Sequence, residues 1–351
     1  VETLAGSLRQ ALDGLEVTAA LAAEGMKASA ARHDGPVATM ADEARVAAVG
    51  LVRDIQGLGE RPGWVRWVEE DPTPVLRHAP IELGGLLAGL AWSEHPAVLT
   101  SATLATGHGF GSFLSAVGLP SATTTVKAPS PFDYRKQGVL YVPAGFPDPK
   151  DPSWSQAVRS EIEVLIRAAG GRALCLFTSR RAKTAAAEAL RGTLGKMGIR
   201  VIDSDDMGRA AAMAAFRDEE TTCLFATRGW WQGVDVPGPS LSLVVVDRLP
   251  FARPDDPPAM ARRKAVEDRG GNAFAHLDLP AAAQALAQGV GRLIRSETDK
   301  GMVAVLDTRL AEARYKNVLL GSLPPMLRLR SRRAAVEFLT AIAAERQQVS
   351  A

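Results

Sequence analysis

Seven short apolar runs recur between stretches of helical spacing, at residues 97–100, 139–142, 173–178, 199–202, 222–226, 243–247 and 302–306. No other feature limits the fold so tightly. Runs this short that are apolar on both parities suit strands buried on both faces, and strands of that kind belong to parallel sheets. Parallel strands need crossover connections, which the intervening helical stretches supply. The expectation is therefore an α/β chain in which residues 135–330 form one parallel sheet with helices on both faces. Ahead of it, Leu4, Leu8, Leu12 and Leu15, then Val46, Val49, Val52 and Ile55, keep helical spacing. They predict two or three helices over residues 1–60, broken near His33, Asp34, Gly35 and Pro36.

Charge narrows the choice of partner. The chain has 351 residues, 41 basic and 39 acidic, for a formal charge of +2, so a site for a polyanion has to be a local patch. The two cysteines, Cys175 and Cys223, sit inside apolar strand-like runs and read as small buried hydrophobes rather than ligands or disulfide halves. No apolar run reaches transmembrane length and no signal-peptide pattern opens the chain, so the expectation is a cytoplasmic protein without a membrane partner. Val1 as the first residue points to a processed or excised fragment.

Four segments carry chemistry. In the first, Gln288, Arg292 and Arg295 follow one another at three- and four-residue spacing, which on a helix puts them on one face with Val290, Leu293 and Ile294 toward the core. Guanidinium forks match phosphate oxygens in pairs and stay charged, although a surface helix with paired arginines has the same pattern. In the second, the run at 97–100 ends in Thr100, Ser101, Ala102 and Thr103, hydroxyls at the carboxyl end of an expected strand, where α/β sheets bind ligands. The third repeats that logic with Thr178, Ser179, Arg180 and Arg181 at a strand-to-helix junction, which suits either an anion site or an ordinary N-cap. In the fourth, Thr227, Arg228, Trp230 and Trp231 precede Gly233 and Asp235. Adjacent tryptophans cannot share one side of a strand, so at least one is expected to be exposed or in an interdomain groove, where beside Arg228 it could stack an unpaired base; a ring packed under a loop as core is the alternative for either.

Taken in order, these segments resemble the second half of a DinG-type helicase, a bacterial relative of XPD within superfamily two. Thr-Ser-Ala-Thr-Leu at 100–104 is similar to motif III and Leu-Phe-Thr-Ser at 176–179 to motif IV. Trp-Gln-Gly-Val-Asp-Val-Pro-Gly at 231–238 is similar to motif V, and Gln-Gly-Val-Gly-Arg-Leu-Ile-Arg-Ser at 288–296 to motif VI. The likeness runs over residues 75–330, with one departure: Gln232 stands where the family usually has Glu.

The resemblance implies a RecA-like, P-loop NTPase-like second motor lobe over residues 131–351, the end of the first lobe with motif III over 75–130, and an arch-like helical tail over 1–74. It implies that Arg292 and Arg295 act as arginine fingers on ATP with Gln288 setting their geometry, and that Gly233, Asp235 and Gly291 contact nucleotide. Ser101, Ala102 and Thr103 would couple hydrolysis to DNA, and Thr178, Ser179, Arg180, Thr227, Arg228, Trp230 and Trp231 would bind single-stranded DNA. ATP and Mg²⁺ would serve the full-length protein. The Gly-x-x-x-x-Gly-Lys-Ser/Thr string that cradles phosphates is absent, as is an Asp-Glu-x-His box, so a missing N-terminal motor lobe is the implied partner and the fragment alone is expected not to hydrolyse ATP. Two separated cysteines cannot hold the iron–sulfur cluster of many relatives, which places that cluster outside this fragment, and no metal site is expected. The alternative is a stand-alone single-strand-binding or interaction module derived from a helicase. Against it stands the retention of both arginines.

Overall fold

Ahead of the sheet, the described residues 6–58 are largely helical. In the computed structural model, which describes residues 6–58, 62–70, 74–92, 96–105, 109–230 and 241–350, they form the helices Gly6–Ala30 and Pro36–Leu58. The break falls at the turn that ends in Gly35, whose φ of 66° is the left-handed geometry glycine permits. The chain divides into two compact units, Val1–Leu86 with Arg253–Gly271, and Leu87–Ala252 with Asn272–Ala351.

In the first unit the helical pair is followed by an antiparallel hairpin of β1 (Trp64–Glu70) and β2 (Pro74–Pro80). Residues 64–70 are thus strand, although they lie within the span expected to be helical. Trp64 and His78 stack across the hairpin with ring centroids 5.1 Å apart. A Cβ on Gly57 would lie 2.1 Å from the His78 ring, so the helix approaches this strand only because position 57 has no side chain. The helix Pro257–Glu267 completes the unit. Asp256 caps it by accepting from the Ala259 amide at 3.0 Å, and its Arg262 donates to the Ile81 carbonyl at 3.0 Å.

In the second unit, six of the seven apolar runs become strands of one sheet: β3 (Gly138–Tyr141), β4 (Ala173–Phe177), β5 (Arg200–Asp203), β6 (Thr222–Thr227), β7 (Leu243–Val246) and β8 (Gly301–Val305). A short edge strand, β9 (Leu327–Leu329), makes the seventh member. The order is β5-β6-β4-β7-β8-β3-β9 and every pairing is parallel. Alternate residues feed two cores. Val139, Tyr141, Cys175, Phe177, Phe225 and Val245 face the helices Trp154–Ala169, Arg180–Gly195 and Arg332–Ser350. Leu174, Leu176, Leu224, Val244 and Val303 face the helices Arg209–Asp218 and Leu279–Val290. Burial on both sides explains why the runs are apolar at every position.

The remaining run, 97–100, is not a strand. Its backbone is irregular, Val98 is 92% exposed, and among the described residues it enters no ladder with the seven strands. Cys175 and Cys223 are buried free thiols on neighbouring strands, and burial pushes the Cys223 thiol up to about 12. Among the described residues no helix is long and apolar enough to cross a membrane.

Candidate functional site

The carboxyl edge of the sheet gathers the hydroxyl residues that follow β4 and β6. Phe177 and Thr227 are register partners, so Thr178 and Thr227 emerge side by side. Thr178 donates its amide to Asp247 Oδ1 at 3.0 Å, and its hydroxyl lies 3.5 Å from Oδ2. The Arg248 amide donates to the same Oδ1 at 2.7 Å. Asp247 is 1% exposed, and burial pushes its carboxyl up to about 7, against the pull of these two amides. One nearly buried carboxyl therefore joins the exits of β4 and β7.

Ser179 caps the following helix, its hydroxyl accepting from the Ala182 amide at 3.4 Å. Arg180 is bound to Asp205 at 2.9 Å. Lys183, fully buried on the same helix, pairs with Asp203 and with Asp205 at 2.8 Å. Trp230 is not the exposed ring the sequence leaves open to it. It is 8% exposed and belongs to the core, with the Arg209 guanidinium 4.8 Å from its ring centroid, because the turn Arg228–Trp230 folds back over β4 and β6. Trp231, Gln232, Gly233 and Asp235 lie outside the described residues, and the Arg228 side chain is likewise not described.

The other candidate residues occupy the opposite edge. The helix Leu279–Val290 runs back from the carboxyl edge to the point where β8 begins, and Gly291 ends it. Arg292 and Arg295 are therefore on a tight turn rather than on a continuous helical face. The cause is a competing acceptor: Asp299 Oδ2 takes the amides of Arg295 at 2.7 Å and Ser296 at 2.8 Å, donors that a longer helix would have used internally. Gln137, just before β3, donates from Nε2 to the carbonyls of Ser296 at 2.8 Å and Asp299 at 3.0 Å. Val290, Leu293 and Ile294 are buried as their spacing predicts, and both arginines are half-buried.

Motif-like residues far apart in sequence meet here. Gln288 Nε2 donates to Thr103 Oγ1 at 3.4 Å, and Gln284, one turn earlier, donates to the Thr103 carbonyl at 3.3 Å. The Thr103 amide donates to the Ser101 hydroxyl at 3.3 Å, and the exposed Ala102 lies between them. Sequence reasoning missed Gln284, Asp247, Asp299 and Gln137. The Gln284 and Gln288 pair shows a readable four-residue spacing, whereas Asp247 and Gln137 are recognised only by partners distant in sequence. Among the described residues no cluster of three or more His, Cys, Asp or Glu could hold a metal ion.

Residues 162–326 match the family described as Helicase C-terminal domain. The chain is 47% identical over 269 residues to the ATP-dependent helicase DinG of Mycobacterium tuberculosis, covering 74% of this chain and 40% of that protein. To the ATP-dependent DNA helicase YoaA of Escherichia coli it is 35% identical over 285 residues, covering 80% of this chain and 44% of that one. It thus spans less than half the length of these curated relatives. A solved structure named XPD_APO superposes with a TM-score of 0.56 at 15% identity, over 84% of this chain and 59% of the other, a likeness of fold.

Proposed function

Since the chain belongs to the DinG-type helicases and carries their C-terminal domain, we propose that it is the C-terminal half of an ATP-dependent DNA helicase that translocates on single-stranded DNA. On this reading Arg292 and Arg295 reach the γ-phosphate of ATP held by an N-terminal motor lobe and offset charge that develops during phosphoryl transfer. ATP is substrate, and Mg²⁺ accompanies it in the full-length protein. Gly291, Gly233 and Asp235 are the proposed nucleotide contacts, and the protein is placed in the cytoplasm.

The observation that carries the reading is the contact of Gln288 with Thr103, at 3.4 Å. It joins the glutamine that precedes the arginine turn to the hydroxyl turn of 101–103, a physical link through which occupancy of one site can bias the other. Thr178, Ser179, Arg180, Thr227, Arg228 and Trp231 form the proposed DNA path, and the burial of Trp230 removes that ring from base stacking. Residues 1–74 are the proposed arch-like tail and 75–130 the end of the first lobe.

In the full-length protein, Arg292→Ala should leave ATP binding largely intact and lower kcat roughly a thousandfold, as removal of an arginine finger does. The chain by itself should show no DNA-stimulated ATP turnover at any DNA concentration. Turnover by the isolated chain that Arg292→Ala abolishes would mean that it holds a complete site, and the reading would fail.

A further inference from the structure

Most arginines on the helices Trp154–Ala169 and Arg180–Gly195 are paired. Arg167 pairs with Glu163 at 3.6 Å, Arg180 with Asp205 at 2.9 Å and Arg191 with Asp206 at 2.5 Å. Arg159 and Arg181 lie on the same two helices, and neither has a hydrogen bond or ion pair among the described residues. Both line a single cavity of ≈ 410 Å³ where the helices Trp154–Ala169 and Arg180–Gly195 begin. Arg248 lines it as well. Its guanidinium carbon sits 4.1 Å from the centroid of the Trp154 ring, and its Nε is buried without a hydrogen-bond partner. Trp154 is held in place by a hydrogen bond from its indole nitrogen to the Leu306 carbonyl at 3.3 Å.

Arginines from three elements therefore line one cavity, none of them in an ion pair among the described residues, and Ser155 and Ser179 share its wall. The lone carboxyl in that wall, Asp247, is occupied by the Thr178 and Arg248 amides, and burial raises it toward the neutral form. The cavity lies at the carboxyl ends of the neighbouring strands β4 and β7, the edge at which open parallel sheets receive ligands.

We propose that this cavity is a binding site for a backbone phosphodiester of single-stranded DNA, with Arg159 and Arg181 as its phosphate ligands and Arg248, stacked on Trp154, as its floor. Arginine suits this role because its planar fork binds phosphate oxygens in pairs. The proposal rests on the DNA-binding half of the reading above and extends it beyond the hydroxyls that follow β4 and β6, to the helix Trp154–Ala169, which none of the motif-like segments includes.

The test measures binding of a labelled oligodeoxythymidine to the 351-residue chain across a salt series. Each phosphate contact on a single strand adds about 0.7 to the slope of log affinity against log salt. Arg159→Ala and Arg181→Ala should each lower the slope by about that amount. Arg191→Ala, on the same helix as Arg181 but paired with Asp206, should leave it unchanged. Arg159→Gln and Arg181→Gln keep most of the side-chain stem and should give the same loss, which separates lost charge from lost packing. Salt-dependent binding by the parent with unaltered slopes in the Arg159 and Arg181 variants overturns the cavity and leaves the DNA path of motifs IV and V standing. Absence of salt-dependent binding by the parent removes that DNA path and the cavity with it. Inorganic phosphate and ATP are run as competitors. If either protects Arg181 from modification by phenylglyoxal while the oligonucleotide does not, the ligand is a free phosphate compound and the proposal fails.

Discussion

Residues 97–103 and 173–179 are written in nearly the same way: an apolar run, then a threonine and a serine. Only the second becomes a strand, flanked by β6 and β7, and its serine caps a helix. The first remains irregular, its Val98 92% exposed, and its serine accepts from an amide two residues on. An apolar run followed by hydroxyls is thus a capacity, and neighbours on both sides decide whether it is used. Where the ladder is complete the hydroxyls stand on a buried frame. Elsewhere they make only local turns and the contacts of Gln284 and Gln288 with Thr103.

The largest expected effect divides the two segments most sharply. Leu174 is fully buried in β4, so Leu174→Ala should cost about 2–5 kcal/mol in urea unfolding, the range for a buried leucine truncation. Leu99→Ala should stay within about 0.5 kcal/mol of the parent, because that side chain is 41% exposed and outside the core clusters. Equal costs would mean that 97–100 is packed after all, and the contrast would collapse.

Proton linkage comes next. The folded-state value of Asp247, about 7, lies above its ordinary value of 3.8, so its protonated form favours the fold. That contribution is complete below the ordinary value and is lost as pH rises through about 7. Stability of the second unit should therefore fall across this window, by at most about 1.4 kcal/mol per pH unit from this group. Asp247→Asn should flatten the profile relative to the parent, and a variant curve parallel to the parent's across the window would refute the assignment. No buried carboxyl among the described residues accepts from the amides of residues 97–103, so no matching slope is expected there.

The smallest difference is between the serines. Ser179→Ala should cost about 1 kcal/mol through loss of the N-cap, whereas Ser101→Ala should change unfolding by less than about 0.5 kcal/mol. Thermal melts of the two variants in one buffer check the pair. A Ser101 variant that melts as low as the Ser179 variant would show that the turn at 101–103 bears weight in the fold.

The sequence disclosed what local pattern controls. Strands β3 to β8 were legible because burial on both faces leaves continuous apolar runs, and the helical break at 31–35 because glycine and proline mark it. Strand β9 was not, since three residues at an exposed edge carry no such run. The hairpin of β1 and β2 was passed over for the helical pattern before it. At the site, the burial of Val290, Leu293 and Ile294 followed from spacing. The end of the helix at Gly291 did not, because it depends on Asp299 drawing away backbone amides. The face taken by Trp230 was decided by a core assembled from distant strands, and the bond of Asp247 to Thr178 spans 69 positions.

The anchoring of the turn at 292–299 has a mechanical meaning. Asp299 holds its backbone from within, and Gln137 ties it to the start of β3 while β8 begins two residues beyond. Such a segment has little slack of its own. Thermal wandering at the Arg295 backbone is set by the stiffness of the sheet rather than by that of a surface loop, and a pull on either guanidinium is delivered to two adjacent strands at once. The Arg295 backbone is thus tied to the frame of the sheet itself, so a displacement of its Cα has to be shared with the strands on which the turn is mounted.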